Sequence, residues 1–341
     1  MKTTDFAKCL SDYLSDYLPA RRNVSENTIN SYCDTYRLLL VYCRDVAGMK
    51  VERISFSDIT KDVIESFLDW LSEHRCCSVS TCNQRLAALR SFFRYAQIEY
   101  PMNLASFQRI LQTPMKKAPI VTVSYLTAET LQVILSQPDM SSCEGRRDMV
   151  LLSTLYDTGA RVQELVDLSF RDVRLDHPAK VRLTGKGRKT RDVPLMDMTA
   201  SLLRNYITER RAMNVSTEDT PLFCNRRGNR LTRAGVTYIL KKHYDSAKSQ
   251  ISGVPSSVSP HIMRHSKAMH LLQAGINIFY IKDLLGHADI STTEVYAHAD
   301  IEMKRKALEA ISTPPIPNTL PSWSKNENLL SWLDNFKGKR R

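Results

Sequence analysis

The sequence predicts a mainly α-helical chain of two domains, the second a mixed α+β domain with a small antiparallel sheet. Three observations carry that expectation. Apolar residues recur at i, i+3 and i+4 through most of residues 1–112. Residues 112–126, QTPMKKAPIVTVSYL, lose that period and hold two prolines and two lysines. One pair of short β-prone runs, Lys180–Leu183 and Thr190–Leu195, flanks Gly185-Lys186-Gly187, as in a hairpin.

The elements follow in order. Phe6, Leu10, Tyr13, Leu14 and Tyr17 share one face of a first helix. Ser25 has the side chain of an N-cap for a second helix through Cys43, with Ile29, Tyr32, Tyr36, Leu39 and Leu40 inward. Thr60 caps a third, to Leu71. Ser80 or Thr81 caps a fourth, with Leu86, Leu89, Phe92, Phe93 and Ala96 packing. Four amphipathic helices then make a bundle ending near Leu111, and 113–126 reads as an extended linker.

The second domain is expected over 127–312. Thr127–Gln137 and Arg146–Thr158 read as helices, the second apolar enough to be buried. Glu164–Leu168, Thr199–Arg211 and a Thr232-capped helix to Lys248 follow. Ser259-Pro260 opens the next helix, with proline in its first turn, and Gly275 ends it. Ile278–Leu285, Ser291–Tyr296 and Asp300–Ile311 are further helical stretches. In the tail, 313–341, Asn326–Phe336 is amphipathic through Leu329, Leu330, Leu333 and Phe336.

Composition narrows the partner. Of 341 residues, 48 are Lys or Arg and 36 Asp or Glu, a net charge of +12. That surplus suits a polyanion, most often nucleic acid, although a solvated basic surface gives the same count. The eight cysteines include no CxxC pair; six lie in the N-terminal third on segments that read as helix, and buried thiols in a reducing cytoplasm fit best. No apolar run suggests a signal peptide or a membrane span.

Six residues bear chemistry when taken together. Arg161 lies in TGARVQEL, with Glu164 three residues on, where it can hold the guanidinium from behind. An ordinary surface ion pair has the same local sequence. Lys186 sits at the hairpin tip, beside Arg188 and Lys189, which suit phosphate contacts. His261 and Arg264 lie three apart in HIMRH, so both can reach one phosphate. The pair His261/His265 has a zinc-ligand spacing, but Arg264 puts a cation beside it and the motif lacks a glutamate. His265 and His270 are read as packing or capping residues. His287 follows LLG, and Tyr296 lies in VYAH. Neither would persuade in isolation.

In this order and in these contexts, Arg161, Lys186, His261, Arg264, His287 and Tyr296 resemble the catalytic set of tyrosine site-specific recombinases, the phage integrase and Xer family. The resemblance covers roughly residues 127–311. It implies a SAM-like, core-binding N-terminal domain and a clamp of two domains around double-stranded DNA. It also implies Tyr296 as a nucleophile forming a 3′-phosphotyrosyl link. Arg161 and Arg264 would hold the phosphate, with His287 beside them. His261 would be the base and Lys186 the acid. No metal, ATP or other cofactor would be needed. Candidate DNA contacts are Asn83, Arg85 and Arg90 on the fourth helix, Lys116 and Lys117 in the linker, and Arg233, Lys241 and Lys242 after Thr232. Each could equally be a solvated charge. The resemblance further implies a tetramer on two DNA sites, assembled from monomers or weak oligomers. A C-terminal helix, 300–311 or 326–336, would pass between subunits. The tail favours a mobile-element integrase or transposase. A Xer-like resolvase and a type IB topoisomerase-like enzyme are the alternatives.

Overall fold

The computed structural model describes residues 3–117, 124–212, 217–251, 255, 257–287, 289, 293, 296 and 329–338. They form two units, Met1–Val121 and Thr122–Arg341.

In the first unit, α1 (Asp5–Asp12) starts at Thr4, whose hydroxyl accepts from the Ala7 N–H. The expected single helix instead widens into a π-helical stretch, Tyr13–Arg21. Pro19 lies inside it and cannot donate an i→i−4 bond. The α2 helix (Glu26–Asp45) follows Ser25, and α3 (Lys61–Glu73) is capped by Thr60. The α4 helix (Val79–Glu99) is capped by Ser78, not by Ser80 or Thr81. Ser78 Oγ accepts from Thr81 N at 3.2 Å, which places both later residues inside the first turn. A fifth helix, α5 (Leu104–Leu111), was not expected as a separate element. Tyr100-Pro101 breaks it from α4, and it folds back so that Phe107 and Ile110 are buried. The core gathers Phe6, Phe56, Phe92, Phe93 and Phe107 edge to face.

The chain after α5 stays attached to this core. Arg90 donates to the Thr113 carbonyl. The Asn83 side chain takes both backbone groups of Lys116, at 2.7 and 3.1 Å. Lys116 Nζ pairs with Asp69 at 3.0 Å. Thus 113–116 packs on α3 and α4, whereas an extended linker was expected from 113. The cysteines also depart from expectation. Cys9, Cys43, Cys82 and Cys224 are buried, but Cys33, Cys76 and Cys143 are exposed, and Cys76-Cys77 lie in the turn between α3 and α4.

In the second unit, α6 (Ala128–Leu135) is capped by Thr127 and α7 (Cys143–Thr158) by Ser142. The α7 helix is the apolar spine, with Val150, Leu151, Leu152 and Leu155 buried. It ends at Gly159, whose φ of +57° and contact with Leu285 leave no room for a side chain. The short α8 (Val162–Asp167) follows. The expected hairpin is present as β2 (Lys180–Thr184) and β3 (Thr190–Pro194), antiparallel with Leu183 opposite Arg191. A two-residue strand, β1 (Val173–Arg174), pairs with β2 and completes an order β1-β2-β3. Two residues are too few to leave a period in the sequence.

Then come α9 (Asp197–Ala212), α10 (Arg233–Ala247), α11 (Pro260–Gln273) and α12 (Ile278–Leu285). Thr232 and Ser259 cap α10 and α11, as expected. A buried Asp148–His243 bond of 2.9 Å ties α7 to α10. The expected helices at 291–296 and 300–311 lie outside the described residues, apart from Thr293 and Tyr296, which are helical. In the tail, α13 (Leu329–Gly338) is helical, and Leu330 and Leu333 are exposed. Among the described residues no helix is long and apolar enough to cross a membrane.

Candidate active site

The site forms where α12 ends. Its last turn closes as a Schellman motif: His287 N–H bonds the Lys282 carbonyl at 3.0 Å, and Gly286 N–H bonds Asp283 at 2.9 Å. Gly286 has φ +65°, the left-handed conformation that this motif demands and that glycine adopts without strain. The turn leaves three successive carbonyls free, and a different arginine occupies each. Arg191 Nε reaches Leu284 at 2.8 Å, Arg264 Nη2 reaches Leu285 at 2.6 Å, and Arg161 Nη2 reaches Gly286 at 3.0 Å. The negative end of a helix thereby holds three guanidinium groups together.

Arg161 is the N-cap of α8, and Glu164 reaches back to its N–H at 2.9 Å and to its Nη1 at 2.8 Å. Glu164 is only 3% exposed. Burial alone would raise its pKa, but Arg191 and Arg161 outweigh that and hold it down at about 2. Arg264 is also buried. Its Nη1 donates to Gly159 at 2.7 Å, so the turn that ends α7 and the turn that ends α12 meet on one side chain. Burial and the neighbouring Arg161 lower its pKa to about 10, which leaves it charged at neutral pH.

Tyr296 is 3% exposed. Its hydroxyl lies 2.7 Å from His265 Nδ1, and its ring stacks on His287 at 6.4 Å between centroids. Burial raises the phenol pKa, against the opposing pull of Arg264. Burial, then Arg264 and Arg161, lower His287 to about 4. Burial, then His261 and Arg264, also lower His265. Both imidazoles are therefore neutral near pH 7. His287 Nδ1 lies 2.8 Å from Thr293 Oγ1, which leaves its other nitrogen for a further partner.

The structure therefore brings together Arg161, Arg264, His287 and Tyr296, with Glu164 behind Arg161. His261 stands exposed on the first turn of α11, and the bond to the tyrosine hydroxyl comes from His265. His265, read as a packing or capping residue, also bonds the tyrosine hydroxyl: one residue past Arg264 turns it onto the tyrosine. His270 bonds Tyr156 at 2.7 Å and packs, as expected. The Lys186 backbone forms the hairpin tip with Gly187 and Arg188. Sequence reasoning missed Arg191 as a site residue. Its signal was the strand position opposite Leu183, where alternation turns a side chain into the fold.

Among the candidate DNA contacts, Arg188, Lys189, Arg233, Lys241, Lys242 and Lys117 are exposed. Asn83 and Arg90 hold the chain after α5, as described above. Arg85 donates to Thr35 Oγ1 at 3.2 Å. Those three are bonded within the first unit and do not stand as free surface groups.

Comparison with known proteins gives the family of the chain. Residues 124–303 match the profile described as the phage integrase family, and residues 11–99 match the phage integrase N-terminal SAM-like domain. A Sinorhizobium fredii protein carrying the integrase/recombinase name y4rC is 35% identical over 336 residues, spanning 98% of this chain and 99% of its own. Tyrosine recombinase XerC of Roseiflexus is 35% identical over 286 residues, spanning 83% of this chain and 86% of its own. A crystal structure of XerH bound to its difH substrate superposes with TM-score 0.66 at 25% identity, covering 89% of this chain and 87% of that one. The Tn1549 transposon integrase shares the fold at TM-score 0.67 and 20% identity, covering 91% of this chain and 100% of that one. This chain belongs to the phage integrase family and is a tyrosine recombinase.

Proposed function

We propose that this recombinase cuts and rejoins DNA at specific sites through a 3′-phosphotyrosyl intermediate on Tyr296. One observation carries the reading: Arg161 and Arg264 converge on adjacent carbonyls, Gly286 and Leu285, beside the Tyr296–His287 stack. Each keeps further N–H donors for the non-bridging oxygens of a phosphodiester. A pentavalent phosphorus carries more negative charge than the ground state, so fixed cations favour it selectively. His287, neutral, adds a hydrogen bond there.

The proton accounting follows from the geometry. Tyr296 Oη gives its proton to His265 Nδ1, in place of His261. The oxygen attacks phosphorus, the P–O5′ bond breaks, and Lys186 protonates O5′. The phosphotyrosyl bond keeps the energy of the broken phosphodiester, so a 5′-hydroxyl from a second duplex can reverse the step without ATP. The groups that neutralise charge are arginines, so the reading requires no metal.

The acting assembly is a tetramer on two duplex sites in the cytoplasm, with Arg188, Lys189, Arg233, Lys241, Lys242 and Lys117 on phosphates and a C-terminal helix passed between subunits. The integrase/recombinase name of the Sinorhizobium relative, matched end to end, supports integration or excision of a mobile element as the first reading. The XerC and XerD relatives support a Xer-like recombinase as the second reading. Strand exchange between two labelled duplexes tests the proposal. Relaxation of supercoils without exchange would replace it with a topoisomerase-like activity.

A further inference from the structure

We propose that Arg191 is a positioning residue that sets the Lys186 hairpin against the arginine-lined site. The inference rests on the phosphoryl-transfer reading above and deepens it.

Arg191 is carried by β3, on the return strand of the hairpin that bears Lys186. Its side chain is 14% exposed, and its donors are directed into the fold. Nη1 and Nη2 hold the two Glu164 oxygens at 3.0 and 2.8 Å, while Nε holds the Leu284 carbonyl at 2.8 Å. One planar fork thus joins three elements: β3, the start of α8 that carries Arg161, and the end of α12 that precedes His287. A lysine, with one compact ammonium, cannot fill that span.

Two glycines make room for the joint. A Cβ on Gly286 would lie 2.7 Å from Arg191 Nη1, so the guanidinium rests directly on the turn before His287. A Cβ on Gly185 would lie 3.0 Å from Glu164 Oε1, so the root of the hairpin rests on the same carboxylate. The backbone closes there too, with Gly185 N–H on the Lys189 carbonyl at 2.8 Å. From Gly185 to Arg191 the arm has no anchor of comparable reach onto the site among the described residues. Arg191 therefore fixes where residue 186 stands relative to Arg161 and His287. It touches neither nucleophile nor phosphate and acts through the hairpin.

The test compares two nicked substrates in the full-length protein. One carries the normal 5′-oxygen leaving group. The other carries a 5′-bridging phosphorothiolate, whose sulfur departs as thiolate and needs no proton. Lys186→Ala should slow the oxygen substrate and recover on the sulfur substrate. Arg191→Lys should show the same pattern, slowed by about tenfold on oxygen and largely recovered on sulfur. Arg191→Gln is the second variant. A smaller folded fraction lowers both rates alike, so the ratio of rates reports positioning and not stability. If Lys186→Ala recovers but the Arg191 variants slow both substrates equally, or neither, the inference is wrong and the acid assignment stands. If Lys186→Ala fails to recover, the acid assignment is wrong and the inference falls with it.

Discussion

His265 Nδ1 and Tyr296 Oη are 2.7 Å apart in a pocket that leaves the tyrosine 3% exposed. The pair joins α11, at the residue after Arg264, to the proposed nucleophile. Burial lowers the imidazole pKa and raises that of the phenol, so the neutral pair is the stable form, with the proton on oxygen. His265→Ala should slow formation of the covalent complex by about a hundredfold. The wild-type rate should fall on the acid side, below pH 6.5, as His265 protonates. In the variant the levelling above that limb should vanish, and the rate should go on climbing with pH. A pH–rate profile on a nicked substrate checks both, and an unchanged acid limb would return the base assignment to His261.

Glu164 is the hub behind two arginines. Removing its charge with Glu164→Gln leaves Arg191 and Arg161 without their shared carboxylate, at a cost of about 3 kcal/mol. Its folded pKa of about 2 lies below the unfolded value near 4.3. The contribution is therefore complete above about pH 4.3 and is lost as pH falls through about 2. Denaturant unfolding should show that acid-side loss in the wild type and a shallower one in the variant.

His287 has the opposite chemistry but the same sign. Its folded pKa of about 4 lies below the ordinary 6.5, so the unfolded chain binds more protons between those values. Stability from burying the neutral ring is present above pH 6.5 and is lost as pH falls toward 4. His287→Asn should flatten unfolding midpoints measured across that window.

Gly286 answers to backbone and packing at once. Gly286→Ala puts a side chain at φ +65° and within 2.7 Å of Arg191 Nη1. The backbone alone costs about 1–2 kcal/mol. The thermal midpoint should drop, and cleavage should fall further than Gly275→Ala makes it fall. Gly275 has φ +81° but open space around it, which isolates the packing effect.

Most helices were legible because each has an apolar stripe and a hydroxyl cap, as at Thr60, Thr127, Thr232 and Ser259. The exceptions have local causes. Ser78, Ser80 and Thr81 are chemically interchangeable caps, and only the observed bond chooses among them. Tyr100-Pro101 creates a fifth helix, and the break after the long α4 falls where the sequence reads as one bundle ending near Leu111. Within the site, Arg161, Arg264, His287 and Tyr296 were recognisable by motif. Arg191 and His265 were not, because their roles depend on Leu284, Glu164 and Tyr296, which stand far off in sequence.

The central claim, that Tyr296 is the nucleophile, meets its most direct test in a covalent trapping experiment. A duplex nicked beside the cleavage point loses a short fragment after attack and leaves protein bound to DNA. The account predicts a covalent complex whose protease-derived phosphopeptide carries the DNA on Tyr296, and none with Tyr296→Phe. A complex that survives Tyr296→Phe, or a phosphopeptide mapping to another residue, would contradict it.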